Sequence, residues 1–427
     1  SGPSGPTFTL NFTAARHFSG PVTVTYTLSN AFATSAPGTV IFQVQPRPDP
    51  SLDPDVSGLV GAQADTAVRF ATAQMGNFNQ RLESLRTGPG RSDLTGMNLN
   101  FGDLIYRGDQ SDQFALRDRQ LGRQEADLAP WVVRPTAPAD AAKGLRSDEG
   151  GKAGGGDGGG VNLWTAGTID MGLRRSRAGL SKLDFTTEGV SLGADFSLGE
   201  RIVVGVGTGY SSDNTTIGTD GSRSKATSYV GVIYGAYQPS DTNYLEMVFG
   251  YGEMSFESRR FVPVNGLTAF GERDGRQMFA SVTAAFEQRG DKLNWTPYGR
   301  VAVVSAELDA FTETGGGVGG LTFHRQDVRS VKGIAGLTSD YITRTRYGVL
   351  KPLLRIEYAY EFEDGGSYSL EYADWAGGPV FTGRAEQLGR GRLTFGLGAD
   401  LERGPLMLGI EYRGAIGSDE ATSSQLG

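Results

Sequence analysis

The feature that most constrains the fold is a series of long stretches, between residues 161 and 427, in which apolar and small polar residues alternate. Alternation with a period of two is typical of β-strands, because successive side chains point to opposite faces. The clearest apolar face consists of Leu354, Ile356, Tyr358, Tyr360 and Phe362. Comparable apolar stripes recur at 190–198, 202–210, 245–251, 278–286, 393–401 and 408–412. The chain therefore contains a large sheet.

The length of these stretches indicates what the apolar faces contact. They run for about ten to fourteen residues, longer than usual strands and long enough to cross a bilayer at a tilt. Aromatic residues lie toward the ends of the stripes, as at Tyr210, Tyr251 and Tyr412, where membrane interfaces favour them. The opposite faces are small, glycine-rich and sparsely charged, which suits a water-filled lumen. We predict an all-β fold, an antiparallel transmembrane β-barrel of about twelve strands.

The connections alternate in length, as in outer-membrane barrels. Short connections are predicted at 199–201, 289–292 and 403–405, and we assign them to the periplasm. Long loops are predicted on the exterior at 174–188, 211–224, 256–276 and 312–325. Residues 314–320, with the sequence TGGGVGG, should form a mobile external loop. We expect the neighbouring His324 to be a solvated loop residue rather than a catalytic base.

Residues 56–87 are predicted to form one helix. Its apolar residues recur at steps of three or four, at Ala64, Ala67, Ala71, Met75, Phe78, Leu82 and Leu85. The helix should be roughly 45 Å long, but its polar content excludes contact with lipid. By itself the pattern is typical of a surface or bundle helix.

The remaining segments divide by composition. Residues 1–46 read as three short strands, at 8–12, 22–28 and 40–44, and predict a small β-sandwich fragment, the C-terminal part of an Ig-like repeat. A Pro-rich linker follows at 47–55. Residues 88–160 are an insertion that ends in the Gly-rich linker GGKAGGGDGGG.

Charge and rare residues exclude several functions. The net charge of −8 excludes a dominant basic surface for nucleic acid. The chain has no Cys and only two His, His17 and His324, far apart in sequence. We therefore expect no metal site, no cofactor and no catalytic residue, and we predict that the protein is not an enzyme.

The order of these parts resembles a monomeric, classical-type autotransporter of Gram-negative bacteria. The resemblance lies in the helix AQADTAVRFATAQMGNFNQRLESLR and in the barrel segments VNLWTAGTIDMG, KPLLRIEYAYEF and GLGADLERGPLMLGIEYRGAIGS. It implies type V secretion: a monomeric twelve-stranded barrel with a helix through its pore, inserted by the β-barrel assembly machinery. It also implies contact with outer-membrane lipid and lipopolysaccharide, and export of the chain's own passenger to the cell surface.

The chain departs from the family pattern in two places. It stops at ATSSQLG, part-way into the last strand, from which we infer truncation. Residues 87–160 also separate the helix from the first strand. Either the helix fills the pore and those residues loop through the periplasm, or the helix lies outside and the Gly-rich linker threads the lumen. We favour the first arrangement, because Gly205, Gly207, Gly209 and Gly250 would give a helix room.

The polar strand faces provide candidates that would solvate a chain in transit. The lumen-facing candidates are Glu246, Arg300, Arg355, Glu357, Glu361, Glu411 and Arg413. The candidate partners of the acids among them are the pore-helix residues Arg69, Arg81 and Arg86. Alternatively, the lumen charges pair only with one another and stiffen the barrel.

Secretion and display of an adhesin-like passenger is the function that these features favour. The alternatives are an outer-membrane barrel enzyme, such as a protease or lipase, and a porin-like channel. Asn77 and Asn79 raise the question of passenger self-cleavage, but no motif supports it.

Overall fold

The structure is a computed structural model that describes residues 9–15, 17–86, 161–174, 176, 181–385, 390–403, 406–417 and 422–426. The predicted insertion at 88–160 lies outside these residues, as does Phe8. No helix in the described part of the chain is long and apolar enough to cross a membrane.

The described residues form one long helix and a series of strands. The helix α1 spans Pro54–Ser84. The strands are β1 Gly20–Tyr26, β2 Gly38–Val44, β3 Val161–Arg174, β4 Leu183–Leu198, β5 Ile202–Ile217, β6 Ser222–Tyr237, β7 Asn243–Val262, β8 Leu267–Phe286, β9 Gln288–Arg289, β10 Leu293–Leu308, β11 Phe311–Thr312, β12 Leu321–Phe323, β13 Gln326–Tyr341, β14 Thr343–Thr345, β15 Gly348–Glu361, β16 Ser367–Tyr372, β17 Phe381–Arg384, β18 Gly391–Arg403, β19 Leu406–Gly417 and β20 Thr422–Leu426.

The largest sheet closes on itself as an antiparallel barrel. It has fourteen strands, of which β9 and β14 are short pieces paired with β10 and β15. Each of the other twelve has a neighbour on both sides, in the order β3 to β8, β10, β13, β15, β18, β19, β20 and back to β3. The five residues of β20 close the ring by pairing with both β19 and β3. The predicted twelve-stranded barrel is confirmed.

The two faces of the barrel strands differ as the alternation predicted. Outward-facing residues of β4, such as Val190 and Leu192, are more than half exposed, whereas Ser191 and Asp195 on the other face are fully buried. Because β-strand side chains alternate between faces, the outer face of the barrel presents an apolar belt to lipid and the inner face lines the lumen with polar groups.

Two predicted external loops are wrong, because the strands continue through them, and a third, 174–188, is shorter than predicted, because β4 begins at Leu183. Strands β5 and β6 stay paired up to Ile217 and Ser222, so the connection is only 218–221. Strands β7 and β8 stay paired up to Val262 and Leu267, which leaves a turn at 263–266. Beyond the apolar belt, the outward face carries polar residues such as Glu257 and Glu272. Hydrogen bonding therefore extends the strand after the hydropathy signal has ended.

A second, four-stranded sheet in the order β11-β12-β16-β17 lies at the end of the barrel that has the long connections. It is formed by the β10–β13 and β15–β18 connections. The glycine-rich segment 314–320, predicted to be a mobile loop, is instead folded against a buried ion pair. Arg260 donates to Glu313 at 2.9 and 2.6 Å and to the Gly319 carbonyl at 2.9 Å. Positive φ angles of 79° at Gly315 and 58° at Gly317 permit this path.

The described part of the N-terminal segment contains two strands rather than the three predicted. Strands β1 and β2 form an antiparallel pair from Gly20↔Val44 to Tyr26↔Gly38. Residues 9–12 are not in a strand. Instead the ring of Phe12 stacks on Phe42, with 4.6 Å between centroids, so packing without a ladder places this residue on β2.

Candidate functional site: a charged helix inside the barrel

Helix α1 lies in the barrel lumen, where it contacts β3 to β8, β10 and β13. Its start is fixed by Asp53, whose carboxylate accepts a hydrogen bond from the Asp55 amide at 2.9 Å, and by Pro54 at the first helical position. Its apolar residues Ala71, Met75, Phe78 and Leu82 pack on a cluster within the barrel wall. The helix can carry polar as well as apolar residues because it contacts the inner surface of the barrel and not lipid.

The glycines predicted to make room for a helix do so at two of four positions. A Cβ added at Gly207 would lie 2.6 Å from the Phe78 ring, and one at Gly209 would lie 1.9 Å from the Gln74 side chain. At Gly205 and Gly250 the space is filled by Tyr234 and Phe279, which belong to neighbouring strands. Glycine in this lumen thus accommodates both the helix and the aromatic rings that flank it.

Arg69 connects the middle of the helix to β4 and β5. Its guanidinium donates to Asp213 at 2.8 Å, to Thr187 at 3.0 Å and to Thr215 at 3.1 Å. It also lies 4.0 Å from the centre of the Phe185 ring. A charge that is buried and has several partners fixes the rotation of the helix as well as its height.

Arg81 makes the most enclosed ion pair. Its Nε and Nη2 donate to the two carboxylate oxygens of Asp195 at 2.7 and 2.9 Å, and both side chains are at most 1% exposed. Asp195 also accepts from Asn162 at 3.0 Å and from Tyr234 at 3.1 Å. The carboxylate is therefore paired and hydrogen-bonded, which is the condition under which buried charge is tolerated.

The C-terminal end of the helix is held by charges of both signs. Arg86 donates to both carboxylate oxygens of the buried Glu246. Glu83 accepts from Arg355 at 2.6 Å and from Arg300 at 3.1 Å. Arg355 in turn donates to Glu411 at 2.6 Å. The network links the last turns of the helix to strands on opposite sides of the barrel.

The remaining predicted residues also line the lumen, but they bond to the wall. Glu357 accepts from the hydroxyl of Tyr298. Glu361 accepts from Ser330 at 2.5 Å and from the Val331 amide at 2.7 Å. Arg413 donates to Glu411 at 2.7 Å. The structure thus contains both predicted modes. Three of the seven lumen candidates, Glu246, Arg300 and Arg355, pair with the helix segment, and the other four pair with groups of the wall.

Several residues of the network were not predicted. Asp195 and Asp213 lie on the polar faces of β4 and β5, and the same alternation that indicated the other lumen charges could have indicated them. Glu83 was missed because only the helix arginines were considered as partners. Asp55 accepts from Ser181 at 3.0 Å and from Ser222 at 2.8 Å, contacts between distant segments that only the fold reveals.

Helix α1 lies toward one wall and leaves space on the other side. A cavity surrounds the C-terminal end of the helix, and a smaller one lies beside Thr72, Gly76 and Gln80. A Cβ placed on Gly76 would meet no atom within 4 Å. The lumen is therefore wider than one helix requires.

The sequence raised His324 as a possible catalytic base and Asn77 and Asn79 as possible self-cleavage residues, and the structure places them at different sites. His324 Nε2 lies 3.8 Å from Glu371 on the small sheet, outside the lumen. Asn77 donates to Ser191 at 2.8 Å and accepts from Thr168 at 2.5 Å. Asn79 accepts from Ser281 at 3.3 Å.

Comparison with known protein families identifies the barrel segment of the chain. Residues 163–413 match the family model described as "Autotransporter beta-domain". No curated protein matches the chain.

Among solved structures, the chain is similar to the translocator domain of autotransporter NalP from Neisseria meningitidis, at 18% identity and a TM-score of 0.48, over 74% of this chain and 95% of that one. It is similar to the β-domain of the Bordetella autotransporter BrkA at 17% identity and a TM-score of 0.46, over 62% and 97% of the two chains. For the transport unit of AIDA-I from Escherichia coli the values are 12%, 0.38, 62% and 87%.

Proposed function

The chain belongs to the autotransporter family, and on that premise we propose that α1 is the resting plug of the pore through which the preceding part of the chain is exported. The protein is an outer-membrane translocator whose passenger is displayed at the cell surface. The observation that carries the proposal is the enclosure of α1 in the lumen, where Arg69, Arg81 and Arg86 each pair with a barrel carboxylate.

The lumen chemistry fits transport without a nucleotide. Polar side chains around the pore can solvate an extended chain in transit, because they offer donors and acceptors in place of water. When the helix arrives, the same groups become its hydrogen-bond partners. Each pair forms only at one height and one rotation of α1, so transport would end in a defined register.

Residues 1–46 are, in this proposal, the end of an adhesin-like passenger built from Ig-like repeats. The paired strands β1 and β2, with Phe12 stacked on Phe42, support a β-sandwich fragment. The N-terminus of α1 lies at the end of the barrel that carries the small sheet, where Val56 and Leu59 pack with residues of that sheet. The passenger would therefore leave on the side of the long connections.

The insertion at 88–160 is proposed to loop through the periplasm. Arg86, at the end of the described helix segment, lies beside Glu246 near the start of β7. Val161 pairs with Phe196 near the short β4–β5 turn. Both attachment points lie at the barrel end with short turns, which in this class of barrel faces the periplasm.

We further propose that the β-barrel assembly machinery inserts the monomeric barrel and that its belt contacts outer-membrane lipid, with lipopolysaccharide in the outer leaflet. Exposed apolar residues on adjacent strands, such as Val206, Ile233 and Phe249, form this belt. Translocator domains of the family are generally not catalytic, and we propose that this one is not an enzyme.

Conductance in planar bilayers tests the plug. The intact protein should conduct little, and a variant that lacks residues 1–84 should open to a large, stable conductance. A porin-like channel would conduct equally in both forms. Surface labelling of residues 1–44 on intact cells tests export separately. Loss of a hydrolytic activity in His324→Ala would instead support a barrel enzyme.

A further inference from the structure

The Pro-rich linker is seated on the small sheet. Arg47 donates to both carboxylate oxygens of Asp374, at 2.5 and 2.8 Å. The hydroxyl of Tyr372 donates to the Pro48 carbonyl at 2.9 Å, and that of Tyr368 donates to the Ser51 carbonyl at 3.3 Å. The guanidinium of Arg47 also lies 4.6 Å from the centre of the Tyr372 ring. We name Tyr368, Tyr372 and Asp374 the linker seat.

The chemistry of the seat matches that of the segment. Prolines at 46, 48 and 50 restrict the backbone and carry no amide hydrogen, so this segment offers mainly carbonyl oxygens. Its last residues, Pro50–Leu52, form one turn of 3-10 helix. Tyr368 and Tyr372 each donate a hydroxyl hydrogen to one of these carbonyl oxygens. Burial raises the pKa of Tyr368 to about 12, so its hydroxyl remains a donor at physiological pH. Aromatic side chains with hydroxyl donors are a recurring way to bind Pro-rich peptides.

The rings of Tyr368 and Tyr372 belong to the buried cluster that holds the first turns of the plug, but their hydroxyl groups and Asp374 bond to a different part of the chain. The first turns of α1 pack beneath the small sheet through Val56, Leu59 and Val60, whereas the seat contacts residues before the helix begins. A contact from further upstream reaches the same place, because the ring of His17 stacks on Trp375 at 4.7 Å. Chain on the passenger side of the helix is thus held at one point on the barrel.

Resting on the proposed translocator function, we propose that the linker seat is a binding site for the exported segment 47–51, and that it anchors the base of the passenger to the outer end of the barrel. The partner is a Pro-rich peptide with one arginine, supplied by this same chain. Anchoring fixes where the passenger leaves the barrel and shields the junction. Plugging of the pore does not depend on it.

Cysteine labelling on intact cells tests the seat, because the chain has no cysteine of its own. Pro50 is buried, whereas Leu52 is 77% exposed. We would place Pro50→Cys or Leu52→Cys in the full chain and measure the rate of reaction with a membrane-impermeant maleimide. Asp374→Arg should raise the rate at position 50 by about tenfold or more, because it replaces a bidentate ion pair by two like charges. Tyr372→Phe should raise it by about threefold, since one hydrogen bond is lost.

Controls separate anchoring from folding and export. Combining Asp374→Arg with Arg47→Asp should restore slow labelling at position 50, and the rate at position 52 should stay fast in every variant. Asp220→Arg reverses a charge in an exposed turn and should change neither rate. Heat-modifiable migration on gels reports whether the barrel is folded, and an antibody to residues 1–44 reports export.

The possible outcomes distinguish failure of the linker seat from failure of the proposed translocator function. If residues 1–44 reach the surface and position 50 reacts at one rate in all variants, the seat is wrong and the translocator stands. A charge swap that fails to restore protection also overturns the seat. If the parent chain exports nothing, the proposed function fails and the seat fails with it.

Discussion

The two ends of α1 are held in different ways. At the outer end, Val56, Leu59 and Val60 are at most 1% exposed and pack with Leu321, Phe323 and other apolar residues of the small sheet and nearby strands. At the periplasmic end, the charged residues Arg81, Glu83 and Arg86 pair with carboxylates and guanidinium groups of the wall.

The difference explains how a helix that passes into the lumen can then be held there in one position. Burial of apolar surface has no preferred direction, because it depends mainly on the area removed from water. Ion pairs in an enclosed lumen depend steeply on geometry, since a charge without its partner keeps the full cost of desolvation. We infer that the outer end excludes water and that the periplasmic end sets the register. The variants below test this division.

The largest effect is expected from Glu83→Arg. The new guanidinium would face Arg355 and Arg300, so one buried attraction becomes a repulsion worth about 3–5 kcal/mol. The periplasmic half of α1 should leave the lumen wall, and single-channel conductance should rise sharply. Glu200→Arg, in an exposed turn, is the control and should conduct like the parent. Unchanged conductance in Glu83→Arg would contradict an ionic lock.

A smaller loss is expected from Leu59→Ala at the outer end. Truncating a fully buried leucine costs about 2–5 kcal/mol, depending on how far the cavity collapses. Hydrogen exchange should accelerate in the first three turns of α1 and remain slow around Arg81. Leu52→Ala, at an exposed position, is the matched control. Equal acceleration at both ends would show that the two ends are not independent.

Arg81→Lys should have a moderate effect, although it keeps the charge. Lysine cannot reproduce the two parallel hydrogen bonds to Asp195, and we expect a loss of about 1–3 kcal/mol in local stability. Hydrogen exchange of the last turns reports it. Arg344→Lys, at an exposed site near the β14–β15 turn, should be silent. If Arg81→Lys also leaves hydrogen exchange unchanged, the charge alone and not the geometry of the ion pair sets the register of the helix.

The smallest effect is expected from Asp53→Ala, which removes the N-cap of α1. Loss of its bond to the Asp55 amide should cost about 1 kcal/mol. Exchange should therefore quicken by about fivefold at the first amides of the helix and nowhere else. Asp53→Asn, which keeps a capping oxygen, should behave like the parent. Loss of the whole helix in Asp53→Ala would mean that the apolar packing beneath the small sheet is weaker than its burial indicates.

The parts of the fold that the sequence predicted are those in which one physical signal acts alone. The twelve strands could be counted because lipid demands an apolar outward face, which leaves a regular mark such as that from Leu354 to Phe362. Alternation in hydropathy does not mark the parts of the strands that extend beyond the membrane. At Ser212 and Glu257 the outward face meets water, so the strands continue without alternation in hydropathy, and loops were predicted there.

The glycine-rich segment 314–320 shows a second limit. Its composition predicted mobility, because glycine loses much conformational freedom on ordering. The structure orders it with Arg260 and Glu313, which lie far apart from each other in sequence. A local composition cannot report a partner that the fold brings from another strand.

By itself, then, the sequence determined the barrel, the single polar helix and the charges available to each, because alternation and helical spacing are local properties of the chain. Only the tertiary structure decided which charge meets which. Arg81 could have faced any lumen carboxylate, and closure of the ring with α1 against β4 to β7 placed it on Asp195. The physical reason is that pairing energy depends on distance and direction between groups, and those are set by the register of twelve strands around one helix.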